Sequence, residues 1–277
     1  MFLNEILQET KKLLKDAGLD NPSIDAELLV AHALGVDRHR LVIDHDKEIG
    51  DEEIKKIKKT IKRRVEFEPV AYIVGRKEFY SLDFIVNRNV LIPRPETELL
   101  VDLAIYYAKQ DSTLLDLGTG SGAIAISIKY NRNDLDVYAS DISTQALVVA
   151  KKNSNRILGK NRIKFFSGDM FSPFDNMKFQ LIVSNPPYVD RDKIHELQKD
   201  LSYEPGIALF SDNSGRADPE KIIVQSRNYL TGDGVIIMEI GCEMKKFVEK
   251  IGRANGFNVS VLNDYSGLPR VAVLKIN

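Results

Sequence analysis

Over the first seventy residues, apolar positions return at helical spacing. Phe2, Leu3, Ile6, Leu7, Thr10, Leu13 and Leu14 form one stripe, Ile24, Leu28, Ala31 and Leu34 a second, and Ile54, Ile57, Ile61 and Val65 a third. That period predicts three amphipathic helices, the second closed by Gly35 as a C-cap. The polar face of the third carries KKIKKTIKRR, residues 55 to 64. A solvated helix face accounts for this run, and a docking surface for RNA or an acidic protein is the alternative. The stripe ends at Glu68-Pro69, where the residue before proline is driven out of the helical region. Leu82, Phe84 and Val86 then alternate as a strand does, which predicts a hairpin linker and a domain boundary between residues 70 and 90.

Beyond that point the rhythm becomes strand, crossover, strand. TLLDL (113 to 117), DVYAS (136 to 140), IKFF (163 to 166), FQLIVS (179 to 184) and GVIIMEI (234 to 240) are short apolar runs separated by helical or loop-like segments. Runs of that kind predict a mostly parallel sheet buried on both faces. FNVSVL and RVAVLKI have only NDYSGLP between them, too little for a parallel crossover, so the last two strands are expected to form an antiparallel hairpin. The fold class is therefore α/β: a small helical domain over 1–70, a β-hairpin linker over 71–92, and a doubly wound, mostly parallel sheet with a terminal antiparallel hairpin over 93–277.

Composition narrows the function classes. The 277 residues are 43% hydrophobic, enough for one large core and a small one. Lys+Arg 39 against Asp+Glu 40 gives a net charge of -1, so no global positive field holds a polyanion, and nucleic acid is disfavoured as a partner. One cysteine, Cys242, makes no internal disulfide and no Cys-x-x-Cys zinc pair. Histidines 32, 39, 45 and 195 lack metal-ligand spacing and read as ordinary surface or core residues. MFLNEILQETKKLLK lacks the apolar centre of a signal peptide, and no apolar run approaches the roughly 18 residues of a membrane span. A monomer in the cytoplasm, with no membrane partner, is the expectation.

In a doubly wound sheet, ligands bind beyond the carboxyl ends of the strands, so the chemistry is sought in the loops there. The first reads Asp116-Leu117-Gly118-Thr119-Gly120-Ser121-Gly122. Alternating glycines let the backbone turn tightly and approach a nucleotide-like ligand without a Cβ in the way. Gly118, Gly120 and Ala123 also satisfy the relaxed dinucleotide pattern, so this loop alone leaves NAD, S-adenosylmethionine and a merely structural turn open. Asp141 closes the second strand about 20 residues on, where a carboxylate accepts from both ribose hydroxyls. A helix N-cap is its other reading, although Ser143 fills that role by itself. Asp169, after the third strand, is placed to accept from an adenine amine, with Met170 and Phe171 packed on the ring; a turn with core side chains is the alternative.

The fourth loop is Asn185-Pro186-Pro187-Tyr188. Two consecutive prolines give up two amide donors and fix two φ angles, so the Asn185 side chain and the Pro186 carbonyl are stiffened acceptors. Together they take both hydrogens of a planar NH2 group while the Tyr188 ring stacks behind it. Holding both N–H bonds frees the delocalised nitrogen lone pair toward an electrophile, which is catalysis by orientation. Methyl transfer from a sulfonium suits such a site, because the leaving group is neutral and the proton departs late.

DLGTGSG together with NPPY resembles the amino-directed methyltransferases. With EPVAYIVGRKEFYSLDF (68 to 84), LIPRPETELLVD (91 to 102), SNPPYV (184 to 189), LSYEP (201 to 205) and DYSGLPRVAV (264 to 273), the chain is similar to the release factor glutamine methyltransferase family. The resemblance implies a Rossmann-like methyltransferase domain, S-adenosylmethionine as donor, and as acceptor the glutamine of the Gly-Gly-Gln loop of class I peptide-chain release factors. It assigns Gly118, Thr119, Gly120, Ser121 and Gly122 to the methionine part of the donor and Asp141 to its ribose. Asp169, Met170 and Asn185 complete the donor set, and Asn185, Pro186, Pro187 and Tyr188 form the substrate clamp. Met170 stands where the family often has tryptophan, and Phe79-Tyr80-Ser81 where it commonly reads Phe-Tyr-Gly. Arg94 and Glu96 are explained by a helix starting at Pro95 and are given no chemistry.

Other functions share parts of these motifs. An adenine-N6 methyltransferase uses the same amine clamp but needs a basic groove, and a glutamine of a ribosomal protein is a third possible acceptor. A nicotinamide oxidoreductase leaves NPPY without a role, and a non-catalytic adaptor leaves both loops without one. Tyr203-Glu204-Pro205 and the loop from Val189 to Arg216 are expected to border the substrate groove.

Overall fold

A computed structural model describes residues 1–159, 163–196 and 198–277. Leu197, inside the loop from Val189 to Arg216, and the His195 side chain lie outside the described residues. The chain forms two compact units, Met1–Arg76 with Gln198–Tyr203, and Lys77–Leu197 with Glu204–Asn277.

The first unit is built on helices Leu3–Asp16, Pro22–Leu34 and Asp51–Val65. The first buries Leu3, Ile6, Thr10 and Leu14 and leaves Phe2 and Leu13 about half exposed. Its start is closed by the Phe2 N–H donating to Glu5 Oε2 at 2.8 Å. Gly35 ends the second helix at φ +67, as expected of a left-handed C-cap. The buried face of that helix differs from the expected stripe. Ala26, Leu29, Val30 and Ala31 are inside, whereas Ile24 and Leu28 are exposed. A helix apolar on most sides gives no unique periodic face, and the unit resolves the choice by pairing buried Asp25 with Arg64, Nε to Oδ2 at 2.7 Å. Arg64 thereby leaves the basic face on which its run placed it; Lys55, Lys56, Lys58, Lys59 and Lys62 stay exposed.

A hairpin follows, β1 (Arg76–Phe79) and β2 (Leu82–Ile85), which from Lys77 on belongs to the second unit. Its turn residues Tyr80 and Ser81 both hold positive φ, +52 and +57. Ser81 thus occupies a left-handed position that glycine adopts without strain. The sheet that follows contains β3 (Thr113–Leu117), β4 (Asp136–Asp141), β5 (Ile163–Ser167) and β6 (Phe179–Ser184). A short parallel pair, β7 (Val189–Asp190) and β8 (Phe210–Ser211), lies apart from it. The sheet is completed by β9 (Leu230–Glu239), β10 (Phe257–Asn263) and β11 (Pro269–Ile276). The strand order is β10-β11-β9-β6-β3-β4-β5, parallel except for β11, which runs antiparallel to both neighbours.

Successive strand residues enter different cores. Leu114, Leu181, Val183 and Ile237 pack on one face of the sheet, with the helices Glu98–Tyr107 and Ala123–Asn131. Leu115, Leu117, Ile182, Ile236 and Met238 pack on the other, with Ala217–Ser226 and Lys245–Ala254. This explains why the strands read as continuous apolar runs instead of alternating ones. Among the described residues no helix is long and apolar enough to cross a membrane.

One buried amide ties the hairpin to the first ligand loop. Asn153 is fully buried, accepts from the Ile85 N–H at 2.8 Å, and donates from Nδ2 to the carbonyls of Ile85 and Ser121 at 3.0 and 2.9 Å. Asn153→Leu fills the space but leaves those backbone groups without partners, so it is expected to cost about 2 to 3 kcal/mol in urea unfolding.

Candidate active site

Because β3, β4, β5 and β6 are parallel, their carboxyl ends fall along one edge: Leu117 pairs with Ser140 and Ser184, and Asp141 with Ser167. A cleft of about 250 Å³ opens there. Gly118, Gly120, Asp141, Asp169, Met170, Asn185, Pro186 and Pro187 all line it. Residues from four separate loops thus converge, although they span about 70 positions of sequence.

The glycines serve different purposes. Gly118 and Gly120 hold φ of +70 and +56, and a Cβ on either would meet no atom within 4 Å. The space above them is open to a ligand. At Gly122, φ +81, a Cβ would come 2.7 Å from Ile126 Cδ1 and 3.3 Å from Ala150 Cβ, so this glycine lets the helix packing close. Thr119 and Ser121, grouped with the ligand loop by sequence, are instead turned into the protein and buried, and neither they nor Gly122 line the cleft. Thr119 Oγ1 donates to Asp116 Oδ2 at 2.7 Å, and its N–H to the Ser140 carbonyl at 2.9 Å. Burial pushes the Asp116 carboxyl up to about 7, against the Thr119 and Ala125 bonds.

Asp141 accepts the Gly120 N–H at Oδ2 and the Ser143 N–H at Oδ1, each at 2.8 Å. Each oxygen keeps a second lone pair for a ligand in the cleft. Burial raises its pKa and the two N–H groups oppose that. The helix cap is Ser143, whose Oγ accepts the Ala146 N–H at 3.2 Å. Asp169 pairs with Lys221 at 2.5 Å. Met170 holds φ +49, a strained conformation for an unbranched side chain at the cleft wall. Phe171 is not at that wall: it is buried and stacks on Tyr229 with centroids 4.5 Å apart.

The fourth loop is braced from beneath. Tyr188 does not line the cleft; its hydroxyl donates to Glu239 Oε1 at 3.0 Å, and burial with the adjacent carboxylate raises the phenol. Glu239, the last residue of β9 and 1% exposed, also accepts from Thr97 Oγ1 at 2.6 Å. Thr97 Oγ1 in turn accepts from Asn185 Nδ2 at 3.4 Å. A second buried carboxylate lies near the rim: Glu204 accepts from Arg94 Nη2 at 2.5 Å and from the Ile92 N–H at 3.0 Å, and the adjacent Pro205 and Leu91 both line the cleft. Arg94 thus has a structural task beyond the helix start. Tyr203 belongs to the helical unit, where its hydroxyl donates to the Glu66 carbonyl at 2.7 Å.

Sequence reading assigns Thr97 and Glu239 no place at the site, and Glu204 only a place bordering the substrate groove. The available signal was the placement of Glu239 in the apolar run GVIIMEI, since a carboxylate in a strand buried on both faces requires partners.

A donor that combines a ribose with an amino-acid tail fits these residues. Two glycines leave open space at the loop, and Asp141 offers spare lone pairs beside them.

Comparison with known proteins identifies the family. Residues 5–75 match the PrmC N-terminal domain and residues 96–202 the Methyltransferase small domain. The release factor glutamine methyltransferase of Aliivibrio fischeri is 36% identical over 276 residues, covering 99% of this chain and 97% of that protein. A bifunctional methyltransferase of Rickettsia prowazekii is 35% identical over 281 residues, and the chain spans only 54% of its length. A methyltransferase from Pyrococcus furiosus has the same fold, with a TM-score of 0.57 over 77% of this chain and 98% of that one at 14% identity. On the full-length match to curated relatives, the chain belongs to the release factor glutamine methyltransferase family.

Proposed function

We propose that this chain methylates the side-chain amide nitrogen of the glutamine in the Gly-Gly-Gln loop of class I peptide-chain release factors, with S-adenosylmethionine as donor, in the cytoplasm. The observation that carries this reading is the placement of Asn185, Pro186 and Pro187 on the same cleft as Gly118, Gly120 and Asp141. When bound, the donor supplies an electrophilic methyl whose leaving group is a neutral thioether. Gly118 and Gly120 leave room for its methionine part, Asp141 accepts from its ribose, and Asp169 and Met170 border its adenine.

The chain's own contribution at the acceptor is orientation. Asn185 Oδ1 and the Pro186 carbonyl take the two amide hydrogens, and the prolines keep both oxygens stiff. An amide nitrogen gives up conjugation when both N–H bonds are drawn out of the carboxamide plane, and its lone pair then becomes available in one direction. Tyr188, expected from sequence to stack on the carboxamide, instead lies outside the cleft lining and braces the loop from beneath through its hydroxyl bond to Glu239. No general base is required, because the amide proton becomes acidic only as the new C–N bond forms. The helical unit is proposed to recognise the body of the release factor.

A methyl-label assay tests this reading with purified class I release factor, ribosomal protein and undermodified DNA side by side. Label on the glutamine of the release factor is the expected result. Label confined to DNA, or to a ribosomal protein, would overturn it.

A further inference from the structure

We propose that Glu239 and Thr97 are positioning residues that set the polarity of the Asn185 side chain, so that it presents its carbonyl oxygen and not its NH2 to the acceptor. This rests on the amide-methylating reading above and adds two residues to it. Neither lines the cleft.

Glu239 follows Val235, Ile236, Ile237 and Met238 in a strand buried along this stretch. An aliphatic side chain there would fill the core without the cost of desolvating a carboxylate. The geometry points to what the carboxylate does instead. Its two oxygens take two different hydroxyl protons, Thr97 at Oε2 and Tyr188 at Oε1. Burial raises the Glu239 carboxyl pKa, and the Thr97 and Tyr188 bonds and the positive field of Arg270, itself held by Asp264, Nε to Oδ2 at 3.0 Å, oppose that and favour the ionised acceptor.

A hydroxyl has one proton. With that proton committed to Glu239, Thr97 Oγ1 offers only lone pairs to its other neighbour, which is Asn185. The carboxamide must therefore turn Nδ2 toward Thr97, as observed at 3.4 Å. A flipped Asn185 would set Oδ1 against the lone pairs of Oγ1. Oδ1 is left as the atom that Asn185 offers at the cleft. The sequence of bonds thus runs in one direction: carboxylate acceptor, hydroxyl donor and acceptor, amide donor, and at the far end an acceptor for the substrate NH2. The same carboxylate accepts from the Tyr188 hydroxyl, so one buried group braces the Asn185–Tyr188 loop at both ends.

Replacing the carboxylate by a carboxamide breaks the direction. In Glu239→Gln an NH2 can face Thr97, the hydroxyl then donates to Asn185 Oδ1, and the site presents a donor to a donor. Thr97→Val deletes the relay at nearly constant volume, whereas Thr97→Ser retains it.

Two measurements on the full chain decide the matter. In the first, hydrogen exchange of the 15N-labelled Asn185 side-chain amide is followed without any acceptor. Thr97→Val and Glu239→Gln are expected to accelerate it, and Thr97→Ser to leave it within about threefold of wild type. In the second, kinetics with release factor should show kcat falling about 30- to 100-fold in Thr97→Val and Glu239→Gln. KM should stay within about threefold, because a protein substrate draws its affinity from a much larger surface. Wild-type exchange and kcat in Thr97→Val would overturn the proposal, as would equal losses in Thr97→Ser, which would make the role one of packing. A wild type that transfers no methyl to release factor would overturn the function proposed above and not this one, since the exchange measurement still decides the polarity.

Discussion

Asn185→Ala is expected to lower kcat for glutamine methylation about a thousandfold to ten-thousandfold while leaving affinity for S-adenosylmethionine within about tenfold. The size follows from what the residue supplies. A carboxamide nitrogen in its resting state is conjugated with its carbonyl and has almost no nucleophilicity. In the proposed site Asn185 Oδ1 is one of two fixed acceptors for its hydrogens, and alanine removes it. The neighbouring prolines remain, so the backbone acceptor keeps its place and the glycine loop is untouched. Loss of kcat with near-normal donor binding is therefore the signature, read by single-turnover methylation beside calorimetry with the donor. A variant that retains a tenth of wild-type kcat would remove orientation by Asn185 as the source of catalysis.

The architecture was legible wherever a local rule had one outcome. Continuous apolar runs such as FQLIVS required a sheet covered on both faces, and NDYSGLP was too short for anything but a hairpin. What the pattern did not contain is that β11 inserts between β9 and β10, because strand order is decided by long-range packing. The helix Pro22–Leu34 shows a second limit. It is apolar on most sides, so periodicity did not select the buried face, and the selecting contact, Asp25 with Arg64, spans 39 positions. Ser81 shows the opposite case: its departure from glycine was visible, and the turn forms with serine in the strained conformation.

The site divides in the same way. The loops at the strand ends were found because glycine, proline and terminal acidic residues carry their chemistry in their identity. Asp141 and Asn185 were read directly from such motifs, and the structure sets both on the cleft. Thr119 and Ser121 shared the first motif, yet they face inward, since a tight turn must direct alternate side chains back to the protein. The supporting residues were hidden for another reason. Thr97 lies 88 positions from Asn185, and Glu239 is 142 from Thr97, so only the folded sheet reveals the relation.

Asp141→Ala carries the second large effect, and on the other substrate: donor affinity is expected to fall about a thousandfold, with kcat at saturating donor reduced much less. The two charge-assisted bonds to ribose hydroxyls proposed for Asp141, at about 1.5 to 3 kcal/mol each, give that size. The carboxylate also has an internal task, since its oxygens hold the Gly120 and Ser143 N–H groups at 2.8 Å, so alanine loosens the turn as well. Asp141→Asn separates the two contributions. Its remaining oxygen can still accept one N–H, but the NH2 faces the other N–H and the charge is gone. If the ribose contact dominates, Asp141→Asn binds donor nearly as poorly as Asp141→Ala while its melting temperature stays closer to wild type. If turn shape dominates, the two losses move together. Calorimetry with S-adenosylmethionine and with NAD on the same proteins completes the test, because a site that grips a ribose in either ligand still distinguishes them by what lies beyond it. Tighter binding of NAD by the wild type would mean that the glycine loop serves a dinucleotide, and the amide clamp beside it would then have no electrophile to face.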